Sequence, residues 1–141
     1  MPAKDSNTDT DDILREILAR ENYVLSKQRQ NGEQGADIIA TKSSETHAIE
    51  VIAYKGTGPS RRKDFFEAIF GALSRLNLSP PPTTIGIAIS NRAEMGFQTR
   101  VNNIGEAWDR FGRAFPEFRF WFVDLANKTY VVKKWTDYSG K

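Results

Sequence analysis

Cysteine is absent from the 141 residues, so neither a disulfide nor a thiolate metal site can form, and the redox compartment is left open. Histidine occurs once, at His47, which excludes an imidazole-based zinc site and a Ser-His-Asp triad supported by a second imidazole. At the edge of a predicted hairpin, His47 is expected to be exposed. No apolar run approaches the roughly 20 residues needed to cross a bilayer. The stretch from Met1 to Asp12 also lacks the apolar segment of a secretory signal. These absences point to a cytoplasmic protein with no membrane partner.

Charge of one sign is scarce too, since 20 basic residues face 18 acidic ones. The balance is uneven along the chain. The first twelve residues hold Asp5, Asp9, Asp11 and Asp12 against Lys4, which leaves 19 basic and 14 acidic residues in the remainder. That surplus gathers at Arg61-Arg62-Lys63 and Lys133-Lys134, compatible with a phosphate backbone as partner but equally with a solvated surface. With 39% hydrophobic and 27% charged residues, what remains is the composition of one ordinary globular domain. A disordered tail over residues 1–10 and a single domain over 11–138 are expected.

Hydrophobic spacing gives the elements. Ile13, Leu14, Ile17 and Leu18 predict an amphipathic helix capped by Thr10 or Asp11 and stopped at Asn22. Tyr23 to Leu25 begins a short strand, and Arg29 to Gly35 reads as a loop. Ala36 to Thr41 and His47 to Tyr54 read as an antiparallel hairpin, and Lys55 to Pro59 as a flexible break. Phe65, Phe66, Ile69, Phe70, Leu73 and Leu76 predict a helix burying a wide face, ended by Pro80-Pro81-Pro82. Ile85 to Ile89 and Phe120 to Val123 have the continuous apolar character of strands covered on both faces. Between them Asn91 and Glu94 suggest a capping box for one long helix carrying Phe97, Val101, Ile104, Trp108, Phe111 and Phe115. Asn127 turns the chain into a last strand at Tyr130 to Val132, and Trp135 and Tyr138 then cover a sheet edge or mediate self-association. The order α-β-β-β-α-β-α-β-β implies a mixed sheet with helices on both faces.

Two residues break the apolar pattern in a chemically telling way. Asp37 and Glu50 are carboxylates embedded in adjacent hydrophobic strands, where burial is costly unless the charge is paired, hydrogen-bonded or bound to a cation. A divalent ion would relieve their mutual repulsion, and such oxygen ligands suit Mg2+ or Mn2+. The alternative is structural: Asp37 as a strand-entry residue and Glu50 ion-paired to Lys55 or an arginine. Gly56 to Ser60 lacks the spacing of a phosphate-binding loop, although Arg61, Arg62 and Lys63 at a helix start are candidates for contacting a DNA phosphate.

The run Gly35-Ala36-Asp37-Ile38-Ile39-Ala40, a hairpin connection, and Ile49-Glu50-Val51-Ile52-Ala53-Tyr54-Lys55-Gly56 resembles the PD-(D/E)xK nuclease superfamily over roughly residues 12–90. The resemblance implies an α/β, restriction-endonuclease-like, three-layer α/β/α fold with a central mixed sheet. It implies Asp37 and Glu50 as ligands of Mg2+ (or Mn2+), Glu16 as a supporting acid on the first helix, and DNA as partner. A homodimer follows by analogy for enzymes that cut both strands. The family lysine follows the strand acid by two residues, where this chain has Ile52. Lys55 is therefore the candidate for a displaced catalytic cation, and five residues along a regular strand would aim it to the face opposite Glu50. Two expectations stand: a metal-dependent enzyme hydrolysing DNA phosphodiesters, or a catalytically inactive domain of the same fold that binds nucleic acid or a protein.

Overall fold

A computed structural model describes residues 7–28, 36–53 and 59–140, with backbone only for 7, 8 and 59–63. The elements follow one another as α1 (Asn7–Arg20), β1 (Val24–Leu25), β2 (Ile38–Lys42), β3 (Glu45–Val51), α2 (Pro59–Ser74), β4 (Thr84–Ser90), α3 (Phe97–Ile104), α4 (Glu106–Ala114), β5 (Phe118–Asp124) and β6 (Thr129–Lys134). They form an α/β fold around one six-stranded mixed sheet whose spatial order, β1 to β6, equals the chain order. β3, β4 and β5 run parallel, and the outer pairings are antiparallel. Every residue of β4 is buried, Thr84 and Ser90 at its ends included, as the unbroken apolar run Ile85–Ile89 requires of a strand covered on both faces.

Helix placement follows from handedness. The crossovers from β3 to β4 and from β4 to β5 step in the same direction, and crossovers of one hand then return to one face. Phe65, Ala68, Ile69 and Ala72 of α2 accordingly share a hydrophobic cluster with Phe97 of α3 and Trp108 of α4. The opposite face is covered by Leu14 and Leu18 of α1, packed on Ile38, Ile49, Ala88 and Trp121. No helix among the described residues is long and apolar enough to cross a membrane.

Several expectations are corrected. α1 begins at Asn7, ahead of the caps foreseen for it and inside the stretch expected to be a disordered tail. Its end is as expected, with Asn22 at φ 72°. The hairpin turn is tighter than foreseen, because Lys42 and Glu45 already pair across Ser43-Ser44. On α2 the buried stripe is Phe65, Ala68, Ile69 and Ala72, so Phe66 and Phe70 turn outward, Phe70 to 71% exposure. The long helix is two: Gly105, at φ 76°, breaks it, and Ile104 and Phe115 leave the buried face. The capping box at Asn91 is replaced by Ser90, whose hydroxyl accepts the Arg92 amide at 3.3 Å. Trp135 is buried against Trp108 rather than placed at a sheet edge.

Gly86 of β4 pairs with Arg119 of β5. A Cβ there would lie 2.0 Å from the Arg119 carbonyl oxygen and 2.9 Å from its carbon. The obstacle is backbone in the adjoining strand and cannot swing aside. Gly86→Ala is expected to lose about 1–3 kcal/mol in urea unfolding. A change within about 0.5 kcal/mol, as for an innocuous surface site, would contradict so close a strand approach.

Candidate functional site

β2 and β3 pair with Ile38 opposite Ile49 and Ile39 opposite Ala48. Extending that register by one step sets Asp37 across from Glu50. By the period of two, both share the face of Ile39 and Ala48, which is the face covered by α2. Their side chains line one open cleft of about 380 Å3, together with Ile52 beyond β3 and Asp64, Glu67 and Ala68 of α2. The two acids singled out by sequence thus meet in one place.

Each is held by specific bonds. Asp37 Oδ2 accepts the Val51 amide at 2.8 Å, joining the entry of β2 to the exit of β3. Its backbone carbonyl accepts Arg15 Nη2 at 2.8 Å, while Nη1 of the same guanidinium donates to the Ser26 carbonyl and Nε to Asp11. Glu50, 8% exposed, accepts Arg75 Nε on Oε2 at 2.8 Å. Gly71 faces the same carboxylate, and a methyl group there would lie in ordinary contact, 3.4 Å from Glu50 Oε1. Arg75, the first residue after α2, brings the cation one turn beyond Gly71.

Glu16 is elsewhere. It pairs with Lys128 at 3.3 Å, its side chain 46% exposed, on the α1 side of the sheet. Helical phase explains the displacement: consecutive residues differ by about 100° around the axis, so Arg15 is turned inward and Glu16 outward. The help expected from the first helix comes from Arg15 instead. His47 is also corrected. It is buried, 2.7 Å from Thr84 Oγ1 through Nδ1, with edge contacts to Tyr23 and Trp121. That burial pulls its pKa below the ordinary imidazole value despite Glu45 beside it, so it is neutral at physiological pH. Lys55 lies outside the described residues. Arg61, Arg62 and Lys63 lie in the first turns of α2, and their side chains are outside the described set as well.

Chemically, four carboxylates line the cleft, Glu50 among them already paired with Arg75. Among the described residues no three His, Asp or Glu side chains converge closely enough to cage an ion. Mg2+ does not need such a cage, because it binds through one or two carboxylates and completes its octahedron with water and substrate phosphate. Asp37 and Glu50 offer two carboxylates on one cleft, and an ionised carboxylate can accept more than one bond. Arg75, Asp64 and Glu67 escaped the sequence reading. The only signal for Arg75 was its place about one turn beyond Gly71 and two beyond Ala68. Comparison with family models, with curated proteins and with solved structures finds no match to this chain.

Proposed function

We propose that the chain is a divalent-metal-dependent nuclease of restriction-endonuclease-like fold, hydrolysing DNA phosphodiesters with Asp37 and Glu50 as ligands of Mg2+ or Mn2+. The observation that carries this reading is the meeting of the two carboxylates, from the entry of β2 and from β3, in one open cleft. Asp37 and Glu50 would hold the ion, and the chemistry it would supply is polarisation of a phosphoryl group and a lowered pKa for bound water. The protein's own residues do the positioning. Asp37 is fixed by the Val51 amide on its carboxylate and by Arg15 on its carbonyl. Glu50 is oriented by Arg75. A guanidinium does not deprotonate, so Arg75 is no general base. Its part is to hold the Glu50 carboxylate in place, and it does not supply the free cation that Ile52 fails to give.

A second reading, a domain that binds DNA or a protein without cutting, is favoured by Ile52 at the lysine position and by the Glu50–Arg75 pair. A carboxylate already neutralised by arginine gains less from a metal. Calorimetric titration with Mn2+ and a plasmid-nicking assay separate the two. The enzyme is expected to bind Mn2+ saturably, with affinity lowered at least about tenfold in Asp37→Asn and in Glu50→Gln, and nicking reduced in parallel. Asp37→Asn keeps an oxygen for the Val51 amide and so guards against simple misfolding. Absence of Mn2+ binding at millimolar concentration sinks the enzyme and leaves the binding domain.

A further inference from the structure

β6 is the last strand of the sheet, so one of its edges has no neighbouring strand. Which backbone groups point outward there follows from the ladder. Along an antiparallel pair, residues that exchange hydrogen bonds with the neighbour alternate with residues that face away. Lys134 gives its amide to the Asp137 carboxylate at 2.8 Å, and so faces away from β5. By the alternation Val132 and Tyr130 face away too, while Lys133, Val131 and Thr129 bond to β5. The far side of β5 agrees: Glu117, in phase with the Arg119 that opposes Lys134, turns its carbonyl to the Ile85 amide of β4. Tyr130 and Val132 therefore present two amides and two carbonyls along the edge, and among the described residues nothing bonds to them. Val131 and Val132 lie beside these groups, 52% and 38% exposed.

Both ends of this edge are already engaged. Asp137 holds the Lys134 amide, and the Lys128 carbonyl just before β6 accepts Arg20 Nη2 at 3.3 Å. The four free groups between them are matched by a second copy of the same edge, turned about a two-fold axis at Val131. Each Tyr130 then exchanges both of its bonds with Val132 of the other copy. An axis at Val132 would demand the Lys134 amide, and one at Tyr130 the Lys128 carbonyl. Charge selects the same register. Lysine on an edge strand ordinarily discourages pairing. Here both lysines end the strand, so antiparallel copies set Lys133 across from Thr129. Lys134 comes beside Lys128, whose charge Glu16 already meets at 3.3 Å. We propose that the chain self-associates through β6, joining two six-stranded sheets into one of twelve strands. The axis is normal to the sheet, so both acidic clefts fall in the same layer of the pair. One pair of short edge strands buries less than the roughly 1,200 Å2 of a lasting interface, so the dimer is a weak one, in the micromolar range. The inference does not depend on what the acidic cleft does.

The absence of cysteine allows a clean test of the register. Across the axis Val131 faces its own copy in a non-hydrogen-bonded pair, with Cα atoms about 4.5 Å apart and within the span of a disulfide. Val132 faces Tyr130 of the other copy instead. With oxidised glutathione as the two-electron oxidant, Val131→Cys is expected to crosslink at least about tenfold faster than Val132→Cys. Sedimentation velocity across the micromolar range is expected to show a monomer–dimer equilibrium. Val131→Lys sets two lysines face to face and should weaken it at least about fivefold. Val24→Lys, at the opposite edge of the sheet and 73% exposed in the parent chain, should leave it unchanged. A chain that is monomeric throughout, or a dimer that survives Val131→Lys in folded protein, overturns the proposal and leaves the edge to solvent or to a strand of another protein. Crosslinking of Val132→Cys as fast as Val131→Cys overturns it too. None of these measurements involves metal or DNA, so this proposal and the nuclease reading fail separately.

Discussion

Arg75→Ala is expected to melt well below the wild-type protein in metal-free buffer and to regain most of that loss when Mg2+ or Mn2+ is added. Glu50 is 8% exposed, and its carboxylate shares the cleft with Asp37. Removing the guanidinium leaves a nearly buried charge without the hydrogen bond from Nε, a change that costs about 3 kcal/mol when a buried pair is broken from one side. For a domain of this size the melting temperature then falls by roughly 5–15 °C. An ion present at a hundred times its dissociation constant returns about 2.7 kcal/mol, close to the whole deficit. The comparison of magnitudes gives the experiment its force: metal replaces arginine if the two carboxylates form an ion site. Arg75→Lys, which keeps the charge but not the geometry of Nε, should fall between. A variant that is destabilised yet indifferent to both ions would mean that the pair is purely structural, and the nuclease reading would lose its centre.

Trp108→Ala is expected to have the larger effect on folding. Trp108 is 1% exposed and stacks on Trp135 with ring centroids 3.8 Å apart. The two indoles are tied reciprocally, Trp108 Nε1 donating to the Trp135 carbonyl and Trp135 Nε1 to the Trp108 carbonyl. Truncation therefore opens a cavity next to Phe97 and Phe120 and removes one of the two hydrogen bonds to the Trp135 carbonyl, leaving the Tyr138 amide. The expected loss is about 3–5 kcal/mol by urea denaturation. Trp108→Phe, which keeps a ring but not the donor, isolates the hydrogen bond at about 1 kcal/mol. A loss below about 1 kcal/mol in the alanine variant would show that the C-terminal segment is not fastened by this stack.

Residues whose environment is set locally were legible in the sequence. Ile85 to Ile89 and Phe120 to Val123 announce buried strands because nothing polar interrupts them, and Asp37 and Glu50 are conspicuous as carboxylates in apolar runs. Features that depend on rotation about a helix were not. The apolar spacing of α2 fits more than one phase, and tertiary packing selected the stripe with Phe65 and Ala72 over the one with Phe66 and Phe70. The same uncertainty of phase exchanged Glu16 for Arg15. Arg75 stands 25 residues from Glu50, and only the return of the chain after β3 makes them neighbours. The break at Gly105 had a local signal, a glycine within an otherwise helical pattern, but the hydrophobic period runs through it and outweighed it.

Arg15 has a consequence for how this molecule could vary. Two of its donors tie the helix on one layer to Ser26 and to the carbonyl of Asp37, whose carboxylate opens towards the other layer, while the third holds the guanidinium to Asp11 of the same helix. The outer helix is thus a strut for a cavity it never touches. Substitutions along its inward side would be felt on the far side of the molecule as a shift of one acid relative to the other.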